Sequence, residues 1–305
     1  MNDKFINQVY WDSGAQAYYT GSQIKATAKQ RISFVNRLME PGASIISWES
    51  AVAYQAEKLV PALPILQVNH QYRLKVGMTT NPEQAVLIRL EFFNLQGERI
   101  KKMEFYSTDH QFVYPVGAYS YKISLVNSGA VALHFSRLQI ADAQTAPAAF
   151  ADIWLQDAHL PSATGPDRFL LLVQEGKQSR ARYTIPALDQ LPYQVVSVAW
   201  QFDGDLVEEL GQRLAKLTGK KLHLISTTPA TDKAVASFCV LHPNVAGLVT
   251  DRFNDSDLAQ YQWIADASWY SPEILEPDWL AIGRAIKHQW KEEDDASRPD
   301  DPAEG

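Results

Sequence analysis

The chain has 305 residues, 46% of them hydrophobic, a net charge of −7 and one cysteine. That length suits two domains with substantial cores. Acidic balance argues against a nucleic-acid partner, which needs a cationic surface. The lone Cys239 excludes an internal disulfide framework and fits a reducing cytosol. No apolar run approaches the roughly 20 residues of a membrane-spanning helix, and the N-terminus lacks the basic-then-apolar pattern of a signal peptide. The charge is uneven: residues 1–150 hold 14 Lys+Arg against 11 Asp+Glu, and residues 151–305 hold 14 against 24.

In chain order, the first half is a series of short alternating segments. INQVYW (6–11) and QAYYTGS (16–22) precede QIKATAKQRISFVN (23–36). ASIISWES (43–50) opens after the Pro41–Gly42 turn, and VPALPIL (60–66) reads as an irregular loop because its prolines remove backbone donors. QYRLKVGMT (71–79), AVLIRLEFF (85–93) and RIKKMEFYS (99–107) follow. In 112–140 the residues Tyr119, Tyr121, Ile123 and Leu125 alternate with polar neighbours, and Asn127, Ser128 and Gly129 make a turn. Val131, Leu133 and Phe135 share a face on the return strand. The pattern then slips by one residue to Leu138 and Ile140, which predicts a β-bulge. This pair reads as a hairpin closing an antiparallel β-sandwich of jelly-roll type over residues 1–142.

Residues 143–155 are Ala-rich and read as a linker. Beyond them, strand-sized apolar runs alternate with helical periods. FLLLV (169–173), VVSVAW (195–200), LHLIS (222–226) and AGLVT (246–250) are the strands. The helical stretches are 205–219, 230–241, 256–266 and 276–290; in the first, Leu206, Leu210, Leu214 and Leu217 keep helical spacing. Continuous apolar strands between helices predict a small α/β domain, Rossmann-like, over 156–290. The tail 291–305 has 7 acids against 2 bases and reads as disordered.

Two sets of residues are candidates for binding. Trp11, Tyr18, Tyr19, Trp48 and Tyr54 could stack on sugar rings or dock a partner; the alternative is that they fill the sandwich core. At the carboxyl ends of the α/β strands, where such sheets bind ligands, stand Asp203, Asp205, Thr227 and Asp251. The competing reading of Asp203 and Asp205 is a helix cap. Chemistry is otherwise thin. No GxGxxG or GxxxxGK[ST] follows a strand, and neither GxSxG nor HExxH occurs. The SxxK of Ser22–Lys25 sits among strands, the seven histidines lack metal-ligand spacing, and Cys239 lies in an apolar helical run. No catalytic residue, metal or cofactor is assigned.

VYW (9–11), YYTGS (18–22), RISFVNRLMEPG (31–42), ISWES (46–50), YQ (54–55), PALPIL (61–66) and FVYPVGAYSYKISL (112–125) occur in that order. Together they make residues 9–140 similar to the third accessory protein of the accessory Sec system, which exports glycosylated serine-rich-repeat adhesins. The terminal strand pattern also resembles a carbohydrate-binding module. The resemblance implies a carbohydrate-binding-module-like fold and no catalysis. It implies as partners the two other accessory Sec proteins, the SecA-type motor and the glycosylated adhesin. It implies a cytoplasmic place, extending at most to peripheral attachment at the membrane translocon. A different class of function stays open: a sugar- or acyl-modifying enzyme, with a degenerate glycosyltransferase-like α/β domain beside a carbohydrate-binding module.

Overall fold

The structure, a computed structural model, describes residues 3–12, 15–27, 29, 31–51, 61–161, 167–177, 179–215, 221–250, 262–263 and 279–296. The chain divides into two compact units. One is Lys4–Phe150 with Lys177–Ala181; the other takes Ala151–Gly176 and the chain from Arg182 onward.

In chain order the first half forms β1 (Asp3–Val9), β2 (Gln16–Ala17), β3 (Gln23–Ala26), β4 (Ile32–Val35), β5 (Ser44–Glu49) and β6 (Gln71–Asn81). It continues with β7 (Val86–Phe93), β8 (Arg99–Phe105), β9 (Asp109–Val113), β10 (Ser120–Asn127) and β11 (Ala132–Asp142). The second half carries β12 (Ile153–Leu155), β13 (Asp167–Gln174), β14 (Ser179–Arg182), β15 (Tyr193–Val198), β16 (Lys221–Ser226), β17 (Ala246–Val249) and β18 (Gln262–Trp263). Its helices are α1 (Leu206–Leu214), α2 (Pro229–Leu241) and α3 (Trp279–Ala296).

The first unit is a two-sheet β-sandwich. One sheet orders β2–β5–β10–β7–β8. The other is centred on β11: β6 pairs along one edge of it, while β4 and then β1 share the other edge. β9 lies beyond β6, β3 beyond β4, and β14 joins next to β1. Strand alternation drives apolar residues of both sheets into one core. Ile32, Phe34, Leu74, Val76, Leu133, Phe135, Leu138 and Ile140 meet Ile46, Trp48, Ile88, Leu90, Phe92, Ile123 and Leu125 there. The phase slip in 131–140 is a real bulge: Phe135 pairs with Met78 and Arg137 with Gly77, so Ser136 is the extra residue.

The expected hairpin over 112–140 is corrected. β10 pairs with β5 and β7, and β11 with β1, β4 and β6, so the two strands lie in opposite sheets. The link between them is an arch held by Asn127. Its Oδ1 accepts from Gly129 N at 3.1 Å and Ala130 N at 2.8 Å, and its Nδ2 donates to the Met39 carbonyl at 2.8 Å. Gly129 takes φ +104°, a conformation glycine adopts without steric cost. A strand over 109–113, preceding this arch, was not anticipated.

The second unit contains a sheet ordered β12–β15–β13–β16–β17–β18. β12 is antiparallel to β15, and the other pairings are parallel. Both faces are buried. Leu170, Leu172, Val196 and Leu224 pack under Leu210 and Leu214 of α1 and Val235, Phe238 and Cys239 of α2. Phe169, Leu171, Val195 and Ile225 pack under Ile282 and Ile286 of α3.

Three further expectations are revised. The stretch 143–155 is packed rather than free: Pro147–Phe150 is a 3₁₀ turn with Ala149 and Phe150 buried, and Ile153–Leu155 enters the second sheet as β12. Arg73 stands over the Phe150 ring at 5.4 Å, a cation–π contact. Of the helix expected at 256–266, the described residues Gln262–Trp263 are strand, pairing with β17; the others lie outside the described residues. α3 runs on to Ala296, through the first six residues of the acidic tail, because KEEDDA contains good helix formers. Residues 297–305 lie outside the described residues.

Candidate binding groove

The aromatic candidates separate by burial. Trp48 has 0% exposure; its Nε1 donates to the Tyr10 carbonyl at 2.9 Å and its ring lies 5.3 Å from Phe135. Trp11 is also buried, 5.9 Å from Phe34 and 6.0 Å from Phe135. Neither ring presents a face to a ligand, so the core reading holds for both. A signal for this was present: Trp48 keeps the phase of Ile46 in β5. Tyr18 is half-buried against the core, whereas Tyr19 is 72% exposed. Tyr54 lies outside the described residues.

The outer faces of the two sheets differ in kind. On the five-stranded sheet, charges of opposite sign pair across strands. Lys122 Nζ lies 2.8 Å from Glu49 Oε1, Arg99 Nη1 2.7 Å from Glu91 Oε1, and Arg89 Nε 2.8 Å from Glu104 Oε1. Lys102 also reaches Glu104 at 2.9 Å; its hydrogen bond, then that of Arg89, holds the Glu104 carboxyl below its ordinary value. This face satisfies itself.

The other sheet pairs Arg73 with Asp109 on its outer face, and elsewhere on that face uncharged polar groups surround a hollow. Ser33 of β4, His134 of β11 and Thr79 of β6 are register partners, so they form one row across three neighbouring strands. Among the described residues, none of these three side chains has a hydrogen-bond partner in the protein. In the adjacent row Gly77 faces the bulged Ser136, whose Oγ donates to the Gly77 carbonyl at 3.0 Å. A depression of about 510 Å³ lies here, lined also by Thr27 and Arg31 from the β3–β4 connection. Thr27 is fixed there by its N and Oγ1, both donating to the Arg31 carbonyl at 2.9 and 3.3 Å. Among the described residues no Asp or Glu lines the hollow. The result is a groove of hydroxyls and an imidazole, able to donate and accept hydrogen bonds without net negative charge. Sequence reading missed it, because its members are single polar residues brought together only by strand register.

In the second unit, two of the four strand-end candidates are engaged internally. Asp205 caps α1, accepting from Val207 N at 2.9 Å and Glu208 N at 3.2 Å. Thr227 is buried, its N and Oγ1 both donating to the Leu172 carbonyl at 3.2 and 2.6 Å. Asp203 is exposed, and Asp251 lies outside the described residues. A polar residue missed from sequence is Asp232 in the first turn of α2. It is buried and accepts from Thr250 N at 2.9 Å and from Thr250 Oγ1. Ser226 Oγ donates to the Thr228 carbonyl at 2.8 Å. These groups join strand ends to helix α2. Cys239 is buried there too, and that burial pushes its thiol up to about 12.

With this geometry in view, the chain can be set beside known proteins. A family described as "Accessory Sec secretory system ASP3" matches residues 17–142, which fall within the sandwich unit. The accessory Sec system protein Asp3 of Streptococcus gordonii is 33% identical over 125 residues, spanning 41% of this chain and 79% of that protein. Asp3 of Staphylococcus aureus (strain NCTC 8325 / PS 47) is 27% identical over 135 residues, 44% of this chain; the chain spans only 42% of that longer relative. The Glycosylation Associate Protein (Gap123) complex from Streptococcus agalactiae is similar in fold. That likeness has a TM-score of 0.53 and 18% identity, and covers 96% of this chain and 89% of that one. On the extent and identity of the Streptococcus gordonii match, the chain belongs to the Asp3 family of accessory Sec system proteins.

Proposed function

We propose that this protein is a non-catalytic subunit of an accessory Sec assembly. It binds the two other accessory Sec proteins and the SecA-type motor in the export of glycosylated serine-rich-repeat adhesins. The observation that carries the reading is the coincidence of the sandwich unit with the family match over residues 17–142. The similarity to a chain of the Streptococcus agalactiae complex, running through both units, supports a place in a comparable complex. The second unit, with its parallel strands and covering helices, we read as a Rossmann-like domain serving assembly. Its strand-end hydroxyls hold the protein's own backbone, and its thiol is pushed far from reactivity, which favours structure over catalysis there. No helix among the described residues is long and apolar enough to cross a membrane. The assembly acts at the cytoplasmic side, with glycan contact secondary to partner binding.

Co-expression of the full chain with the two other accessory Sec proteins tests this. The expected result is a single complex that survives size-exclusion chromatography. Elution of the chain alone, with its partners folded and associated with each other, overturns it.

A further inference from the structure

We propose that the groove across β4, β11 and β6 is a saccharide site that takes a neutral pyranose. The inference deepens the reading above by locating the glycan contact, and it moves that contact away from Trp11 and Trp48.

Four observations carry it. The row Ser33–His134–Thr79 presents polar side chains with no protein partner among the described residues. Neighbouring strands lie about 4.8 Å apart, which sets successive groups of the row about one sugar ring apart. At Gly77, which lines the hollow, no side chain projects, and Ser136 Oγ fills the place a Cβ would take. At about 510 Å³ the depression falls within the roughly 300–1,000 Å³ of small-ligand sites.

The same features disfavour other occupants. An extended peptide binds by adding to an open sheet edge. β11 sits in mid-sheet, with neighbours on both edges, so its backbone has nothing to offer a peptide. A phosphate group calls for several convergent cations or a helix N-terminus; among the described lining residues Arg31 is the one Lys or Arg, with Lys25, the register partner of Ser33, one strand further out. A purely apolar ligand would strand the hydroxyls and the imidazole without hydrogen bonds. A neutral polyhydroxylated ring matches what is present. A contact of this size is weak, in the millimolar range, and gains strength from a client carrying many sugars.

Titration of the full-length protein, followed by the His134 ring and Thr79 methyl resonances, tests the site. The probes are methyl α-glucoside, N-acetylglucosamine and N-acetylgalactosamine, a serine-linked N-acetylglucosaminyl peptide, the same peptide without sugar, and inorganic phosphate. The expected result is saturable shifts with at least one neutral sugar and with the glycopeptide, and none with the bare peptide or phosphate. Ser33→Ala, His134→Ala and Thr79→Val, all at the surface, each weaken binding roughly fivefold, the size of one hydrogen bond. For His134→Ala the Thr79 methyl is the reporter, and for Thr79→Val the His134 ring. Lys101→Ala on the opposite sheet leaves binding unchanged. Absence of shifts with every sugar at tens of millimolar overturns the proposal. Equal shifts from bare peptide or phosphate, or full binding by the three variants, overturn it as well. Assembly is read separately by co-purification, so loss of sugar binding and loss of the complex are distinct results.

Discussion

Gly77 and Ser136 meet across β6 and β11 so closely that a Cβ on Gly77 would lie 2.1 Å from Ser136 Oγ. The bulge at Ser136 and the glycine opposite it are therefore one device, set in the lining of the candidate groove. Gly77→Ala forces the Ser136 hydroxyl to rotate away and lose its bond to the Gly77 carbonyl. The expected cost is about 1–2 kcal/mol. In Gly77→Ala/Ser136→Ala the clashing oxygen is gone, leaving the Ser136 Cβ at 3.6 Å, an ordinary contact. A double-mutant cycle by urea unfolding should show a coupling that offsets part of the single-mutant loss. Strict additivity would mean that the two residues do not act as a pair.

Trp48 and Tyr19 should behave oppositely, although both stood as candidates for stacking on sugar. Trp48→Ala opens a cavity in the sandwich core and removes the donor to Tyr10, at about 3–5 kcal/mol. Tyr19→Ala, at an exposed position, should change stability by less than about 0.5 kcal/mol. Thermal or urea unfolding separates the two. A near-neutral Trp48→Ala would contradict the core described above.

Acid sensitivity should be traceable to Asp109. Arg73 Nε and Nη2 donate to its two carboxylate oxygens, each at 2.7 Å, and this hydrogen bonding holds Asp109 below its ordinary value. A carboxyl with a depressed folded-state pKa stabilises the fold when ionised. That contribution is complete above the unfolded value of ~3.9 and is lost as pH falls through the lower folded value. Partial exposure of the pair keeps the effect modest. The gap in urea midpoint between the protein and Arg73→Gln should be full at neutral pH. It should close as acid takes the pH below the ordinary carboxylate range. A gap that stays constant into acid would assign the effect to packing alone.

Cys239 should be inert in the folded protein. Burial pushes its thiol to about 12, and it sits against Gly247, where an added Cβ would be 2.7 Å from its Sγ. Since the thiolate is the reactive form, iodoacetamide at pH 8 should label the protein only once urea exposes the site. Rapid labelling under native conditions would show that α2 opens readily from β17.

Asp205 should act as a cap and nothing more. Asp205→Ala leaves two amide donors at the start of α1 without their acceptor, at about 1 kcal/mol. Asp205→Asn, which retains a capping oxygen, should recover most of that loss. Equal loss in both variants would point to a role for the charge itself.

Local alternation carried much of the architecture in the sequence. The phase of Ile123–Leu125 and Leu133–Phe135 told which face is buried, and the slip at Leu138 announced the bulge. The Leu206–Leu210–Leu214 spacing located α1, and of the two readings open for Asp205, ligand site or helix cap, the structure shows the cap. The order of strands was not legible. The turn at Asn127–Gly129 looks the same in sequence whether the strands it joins pair directly or cross to opposite sheets. β14, some forty residues beyond β11, finds its place beside β1 for reasons no nearby residue records. Nor could alternation alone tell a tryptophan in the core from one offered to a ligand; the depth of Trp48 comes from the second sheet closing over it. The groove was least legible of all, since Ser33, Thr79 and His134 are unremarkable where they stand in the chain. Period-2 patterning is a property of each strand alone, whereas register is a relation between strands far apart in sequence. Only the folded sheet puts those three side chains in one row.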